Sequence, residues 1–221
     1  MKKRKQTASL LLALVMACST TLSAMPAWAS DWKESLQAET PPPLLLEENF
    51  DGSSLNEALT TYGNAQVKDG ALVLDGSTGT YAELDGSILA GKDSLTVSMD
   101  LTTEMTNQLF FTFAIGDGTT NYAFLRFREQ EAAFHITNSG YQNEDQANYT
   151  STQSMLGQTK NIVMTFEPGK IALFVDGRPA GQANTDVTLA DLGGGDAQIL
   201  LGKSFFEDPL FMGSYDNLKI Y

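Results

Sequence analysis

Short runs of alternating apolar and polar residues, each closed by a turn rich in glycine, asparagine or proline, recur from residue 44 to residue 221. Leu95, Val97, Met99 and Leu101 alternate with Thr96, Ser98 and Asp100, the pattern of a strand with one buried face. Runs of this kind fall at 44–50, 65–68, 71–74, 81–84, 94–101, 108–115, 122–128, 132–137, 161–166, 171–175, 199–202 and 215–221. Asp69-Gly70 and Glu167-Pro168-Gly169-Lys170 join neighbouring runs as hairpins. No helical period of useful length competes with them. Many short strands without helical crossovers predict an all-β protein, two antiparallel sheets stacked as a sandwich.

The N-terminus reads as a targeting segment. Met1-Lys2-Lys3-Arg4-Lys5 is a basic start, 8–17 is an apolar run too short to span a bilayer, and Ala27-Trp28-Ala29 is a small-x-small cleavage site before Ser30. Residues 1–29 are therefore expected to be a signal peptide, 30–43 a linker stiffened by Pro41-Pro42-Pro43, and 44–221 one domain. The competing processing is a lipoprotein cut before Cys18, preceded by Val15-Met16-Ala17. The product is secreted or cell-surface associated in either case, with no transmembrane segment after cleavage.

Charge and residue counts exclude several chemistries. The chain has 14 Lys and Arg against 27 Asp and Glu, and cleavage after Ala29 leaves 10 bases against 27 acids, a net of -17. Such a surface repels phosphate backbones, so nucleic acid is excluded as a partner. One His and one Cys cannot build a multi-histidine zinc site or a disulfide framework. There is no Gly-x-Ser-x-Gly elbow, no phosphate-binding Walker loop and no EF-hand loop. Glu83/Asp85 has the spacing of a glycosidase pair but runs into a turn with no aromatic flank, so it reads as solvated. Glu129/Glu131 and Glu144/Asp145 fall in apparent turns and read the same way.

Strand parity points to a ligand face. If Leu125 and Phe127 are core, Tyr122, Phe124, Arg126 and Arg128 face away from it, and the same alternation turns Phe111 and Phe113 inward and Phe110 and Thr112 outward. Phe110, Tyr122, Arg126, His135 and Tyr141 are then candidate ligand-binding residues: flat rings for sugar C–H faces, with planar and polar donors beside them. The competing reading puts Phe124 in a second core layer, pairs the arginines with surface acids and leaves His135 a half-exposed strand histidine. Asn148-Tyr149-Thr150 matches a glycosylation sequon but reads as accidental behind a bacterial-type signal peptide.

The run from Leu201 to Tyr221, with Gly202-Lys203-Ser204, Phe205-Phe206, Asp208-Pro209, Phe211, Gly213, Asp216-Asn217 and Lys219-Ile220-Tyr221, resembles the closing segment of bacterial laminin-G-like domains of the concanavalin A-like lectin/glucanase superfamily. Phe50-Asp51-Gly52, the 69–76 hairpin and Phe174-Val175-Asp176-Gly177 are similar to that family's opening, early hairpin and late turn; Asn217 departs from its second Asp. The resemblance implies a concanavalin A-like jelly-roll sandwich and a carbohydrate-associated role. It does not imply an enzyme, because the Glu-x-Asp-x-x-Glu motif of the superfamily's glucanases is absent from the sequence. It further implies a structural Ca2+ held by the carbonyls of Asn49 and Gly70 and the carboxylate of Asp216. The expected function is an exported, non-catalytic carbohydrate-binding module for a polysaccharide or cell-surface glycan. The alternatives are a module binding a cell-surface protein in adhesion, and a domain associated with a glycoside hydrolase.

Overall fold

The computed structural model describes residues 42–52 and 54–221; the expected signal peptide and most of the expected linker lie outside them. In chain order the strands are β1 (Leu46–Glu48), β2 (Leu59–Tyr62), β3 (Gln66–Lys68), β4 (Ala71–Asp75), β5 (Tyr81–Leu84), β6 (Leu95–Thr103), β7 (Phe113–Gly116) and β8 (Tyr122–Arg128). They continue with β9 (Glu131–Thr137), β10 (Asp145–Thr150), β11 (Lys160–Glu167), β12 (Lys170–Val175), β13 (Arg178–Asn184), β14 (Gln198–Leu201) and β15 (Met212–Ile220). One sheet runs β13-β12-β11-β6-β15-β4-β3, with β1 also on β15; the other runs β10-β9-β8-β7-β14-β5-β2. All the strand pairs within the sheets are antiparallel. No helix among the described residues is long and apolar enough to cross a membrane.

The core lies between the sheets, where the alternating side chains of both inner faces meet. Val97, Met99 and Leu101 of β6 pack with Leu125 and Phe127 of β8, Ile162 and Met164 of β11 and Tyr215 of β15. The alternation that predicted these strands is the same one that buries them.

Three strands have no such signature in the sequence: β2, β10 and β13. Each is the outermost strand of its sheet. The polar run of β10 buries only Ala147, β2 buries only Leu59, and β13 buries no residue fully. Backbone ladder bonds to one neighbour hold such edges, and polar side chains there are usual protection against edge-to-edge pairing.

Parity fails at one place, and it corrects the expected direction of Phe110. The run 108–112 is irregular and β7 starts only at Phe113. Phe110, expected outward, turns into the inter-sheet core with its ring 5.9 Å from Phe211, and Phe111, expected inward, lies on the opposite side of the sheet. Thr112 is the pivot. Its N–H donates to the Leu125 carbonyl at 2.7 Å and its hydroxyl accepts from the Phe127 N–H at 3.0 Å. Its carbonyl accepts from the Gly202 N–H at 2.9 Å and from the Tyr215 hydroxyl at 2.6 Å. Meeting those four partners breaks the two-residue period, so residues on either side of Thr112 no longer alternate.

Burial pushes the Tyr215 hydroxyl well above its ordinary range, so it remains a proton donor. Tyr215→Phe removes that donor and leaves the Thr112 carbonyl with Gly202 alone. The expected loss is about 1–2 kcal/mol in urea unfolding; an unchanged midpoint would show that the bond does not hold the sheets together.

Candidate functional site

The outward face of the seven-stranded sheet gathers most of the residues singled out from the sequence. Register sets Tyr122, Phe124, Arg126 and Arg128 beside Thr137, His135, Ala133 and Glu131. The face continues through Ala114 and Leu200 to Glu83 and Thr60. Tyr122, Arg126 and His135 share this side, and Tyr141 stands exposed in the short turn Tyr141–Asn143 beyond it. Phe110 is absent from it, buried in the core.

The middle of this face is closed. The segment 202–211, running from β14 to β15, lays Phe205 and Phe206 across it, with Phe206 edge-on to Phe111 at 6.0 Å and to Tyr122 at 5.6 Å. Phe111 stacks on Phe124 at 3.9 Å and 5°. Tyr122 is 0% and Phe124 2% exposed, so these rings form a second apolar layer rather than a free sugar platform. Ser204 ties the strap, donating to Asp208 at 2.7 Å and accepting from the Phe206 N–H at 2.9 Å. Of the two readings left open for Phe124, the second core layer is the one the packing adopts.

The polar groups beside it are also engaged. Tyr122 donates its hydroxyl to Glu144 at 2.6 Å; burial first, then the Glu144 carboxylate, pushes that hydroxyl far above its usual range. His135 is 5% exposed, not half-exposed, with Nδ1 2.7 Å from Glu144 Oε2 and Nε2 2.7 Å from Asn148 Oδ1. Glu144, expected to be solvated, lies part-buried between Tyr122 and His135. Glu131, also expected to be solvated, opens β9 and receives both arginines: Arg126 at 2.7 Å and Arg128 at 2.8 Å. Burial acts to raise the Glu131 carboxyl, but Arg126 and then Arg128 outweigh it and hold it below its ordinary value.

The open concavity lies at the other end of the sheet. A cleft of about 410 Å³ is lined by Glu57, Thr60, Tyr62, Glu83, Asp85, Asp196 and Gln198, with 58, 84, 86, 195 and 197 completing its wall. Its volume is in the range of ligand sites. Tyr62, 38% exposed, stacks on its cross-strand partner Tyr81 at 4.5 Å and 12°, and Lys203 sits 4.3 Å above the Tyr81 ring. The Tyr62 hydroxyl donates to Glu83 at 3.3 Å and is pushed up by packing and by that carboxylate. Glu83 therefore does have an aromatic flank, which the sequence concealed because Tyr62 is 21 residues away on the unrecognised edge strand β2. Asp85 caps the turn Gly86–Leu89 through the Ser87 N–H at 2.9 Å, a bond that holds its carboxyl below its usual range. A carboxyl held down in this way is a poor general acid. The wall is tight: a Cβ on Gly86 would meet the Ala197 carbonyl oxygen, which keeps Asp85 and Asp196 on adjacent turns.

The residues implied as calcium ligands come from β15, an interior strand of the other sheet, and from the ends of β1 and β4, which pair with it. Glu48 at the end of β1 pairs with Leu218 of β15, and the Asp51 carboxylate lies 3.0 Å from the position a Cβ would take on Gly70. Burial, then the nearby charges of Asp100 and Asp51, raises the Asp216 carboxyl. Among the described residues no three acidic, histidine or cysteine side chains are arranged to hold a metal. A cation at this end would lean on backbone carbonyls, the donors the resemblance implies.

A family model described as the concanavalin A-like lectin/glucanases superfamily matches residues 75–221. No curated protein matches the chain. Among solved structures, domain 4 of AbnA, an extracellular arabinanase of Geobacillus stearothermophilus in complex with arabinotriose, is 20% identical, with a TM-score of 0.56 and 79% of each chain covered. The endo-β-1,3-glucanase of Pyrococcus furiosus is 13% identical, with a TM-score of 0.57, over 80% of this chain and 93% of that one. The CBM40 of a Ruminococcus gnavus sialidase, bound to α2,3-sialyllactose, is 12% identical, with a TM-score of 0.55, over 81% and 92%. The chain spans about half the length of the botulinum neurotoxin binding domains it also matches. These likenesses establish the fold of this chain.

The Arg126–Glu131–Arg128 fork carries a pH signature. A carboxyl held below its unfolded value stabilises the fold above the ordinary carboxylate range, and that contribution is lost as pH falls through the depressed value. The thermal midpoints of the wild type and Glu131→Gln should differ most near neutral pH and converge in acid. A gap of constant size across that range would show that ionisation of Glu131 does not matter to the fold.

Proposed function

Because the chain belongs to the concanavalin A-like lectin/glucanase superfamily as a laminin-G-like domain, we propose that it is an exported, non-catalytic module that binds a polysaccharide or cell-surface glycan in the Tyr62 cleft. The observation that carries this reading is Tyr62 itself. Its ring is fixed by stacking on Tyr81 and flanks an open cleft of polar side chains. A fixed aromatic plane beside hydrogen-bonding groups suits the two sides of a sugar ring, one of C–H and one of hydroxyls. The arabinotriose and sialyllactose complexes of two proteins sharing the fold support a glycan as the class of ligand. Absence of catalysis is supported at the same place: Asp85 is committed to capping as a carboxylate, and Ile88 stands where Glu83-x-Asp85 would need a third acid. Export rests on the basic start, apolar run and Ala-Trp-Ala site of residues 1–29.

A structural Ca2+ belongs to the same proposal. The carbonyls of Asn49 and Gly70 and the Asp216 carboxylate would hold it, with water completing the shell. Asp100 and Asp51 add negative charge near Asp216 that a cation would offset.

Two measurements test these statements. On a glycan array followed by calorimetry, the wild type should bind at least one polysaccharide class, and Tyr62→Ala should weaken that binding by about tenfold or more, the scale of one lost aromatic contact. A silent array, or full affinity in Tyr62→Ala, would sink the assignment. Calcium added to EDTA-treated protein should raise its melting temperature, by about 2.7 kcal/mol of stabilisation at a hundredfold excess over Kd. Asp216→Asn should abolish that rise; no rise in the wild type would remove the calcium site.

A further inference from the structure

We propose that the ligand of the Tyr62 cleft is a glycan bearing protonated amines, an amino-sugar polymer whose ring rests on Tyr62 while its ammonium groups meet the surrounding carboxylates. This deepens the glycan-binding reading and rests on it. Four acids, Glu57, Glu83, Asp85 and Asp196, line the cleft, its lining among the described residues holds no basic side chain, and Lys203 lies over the Tyr81 ring. Among the described residues Arg126 and Arg128 pair with Glu131, Lys160 with Asp176 and Lys219 with Glu47, all away from the cleft. None of these basic side chains reaches the cleft acids, which keep their negative charge on local contacts alone: Asp85 accepts the Ser87 N–H and Glu83 the Tyr62 hydroxyl.

That pattern discriminates among ligands. Carboxylates in a concave wall concentrate negative potential, which on a chain of this net charge repels uronates, sialates and sulfated sugars. A neutral sugar returns hydroxyl hydrogen bonds to the carboxylates but no opposite charge, whereas an ammonium returns hydrogen bonds and offsets the charge as well. A bare metal ion does not fit, because no three of these side chains converge on one point among the described residues. The acids are spread around a space of ligand size, about 410 Å³, with the tyrosine ring on one side. A lysine-rich peptide would satisfy the charge but has no use for a flat platform held by stacking.

The test compares glucosamine hexamers, their N-acetylated counterparts and neutral β-glucan hexamers by calorimetry, with the mature protein at low and moderate salt. N-acetylation removes the charge and keeps the ring. The glucosamine hexamer should bind at least tenfold more tightly than the other two, and added salt should shrink that preference. Glu83→Gln and Asp196→Asn should each reduce the preference several-fold, while Tyr62→Ala weakens binding of every sugar that binds. Equal affinity for N-acetylated or neutral hexamers would overturn the amine assignment and leave the glycan reading standing. Oligolysine binding as tightly, with no response to Tyr62→Ala, would show that the cleft reads charge alone and would overturn it too. No binding of any hexamer, together with a silent glycan array, would remove the glycan reading itself.

Discussion

Thr112 is where the two sheets are joined. Its backbone and hydroxyl meet β8, its carbonyl meets the Tyr215 hydroxyl of the opposite sheet, and the same carbonyl takes the N–H of Gly202, where the strap begins. The residue is fully buried, so every one of these bonds is made where water cannot replace it. Serving partners on both sheets forces the chain out of regular strand geometry. That irregularity sends Phe110 into the inter-sheet core and Phe111 to the outward face, and so supplies the ring on which Phe124 stacks.

From this follows the division of the outward face. Phe111, Tyr122, Phe124 and Leu200 make an apolar patch that would be a liability in water, and Phe205 and Phe206 of the strap cover it. The row of aromatics and arginines read from the sequence as a binding surface is thereby sealed at its centre, with its arginines paired to Glu131 and its Tyr122 hydroxyl bonded to Glu144. The cleft framed by β2, β5, the turn Gly86–Leu89 and the turn around Asp196 remains open.

Charge is distributed with the same logic. In a chain of strongly negative net charge, basic side chains reach selected acids: Glu131 in the β8–β9 hairpin, Asp176 beside Lys160, Glu47 beside Lys219. Asp75 and Asp191 instead carry their charge on local hydrogen bonds from serine, asparagine and threonine, which lower both carboxyls. Among the described residues none of these basic side chains pairs with Glu83 or Asp196 in the cleft, where Glu83 accepts the Tyr62 hydroxyl, and a carboxylate in a concave site can meet a cationic group.

The strands with a buried face, the antiparallel sandwich and the family were legible in the residues themselves, because a two-residue period with apolar side chains on one side has one economical solution: pack that side against a second sheet. The outward direction of Tyr122, Phe124 and Arg126 was legible for the same reason. Edge strands were not, since β2, β10 and β13 are held by backbone bonds to a neighbour rather than by a hydrophobic face of their own. The inward turn of Phe110 was not, because the partners of Thr112 lie 13 to 103 residues away. Nor was the closure of the aromatic row, which depends on where 202–211 lies. Local periodicity states which side of a strand is apolar. Only the tertiary structure decides what covers each side, and among the described residues it stacks Tyr62 on Tyr81 and leaves the rest of the ring beside an open cleft.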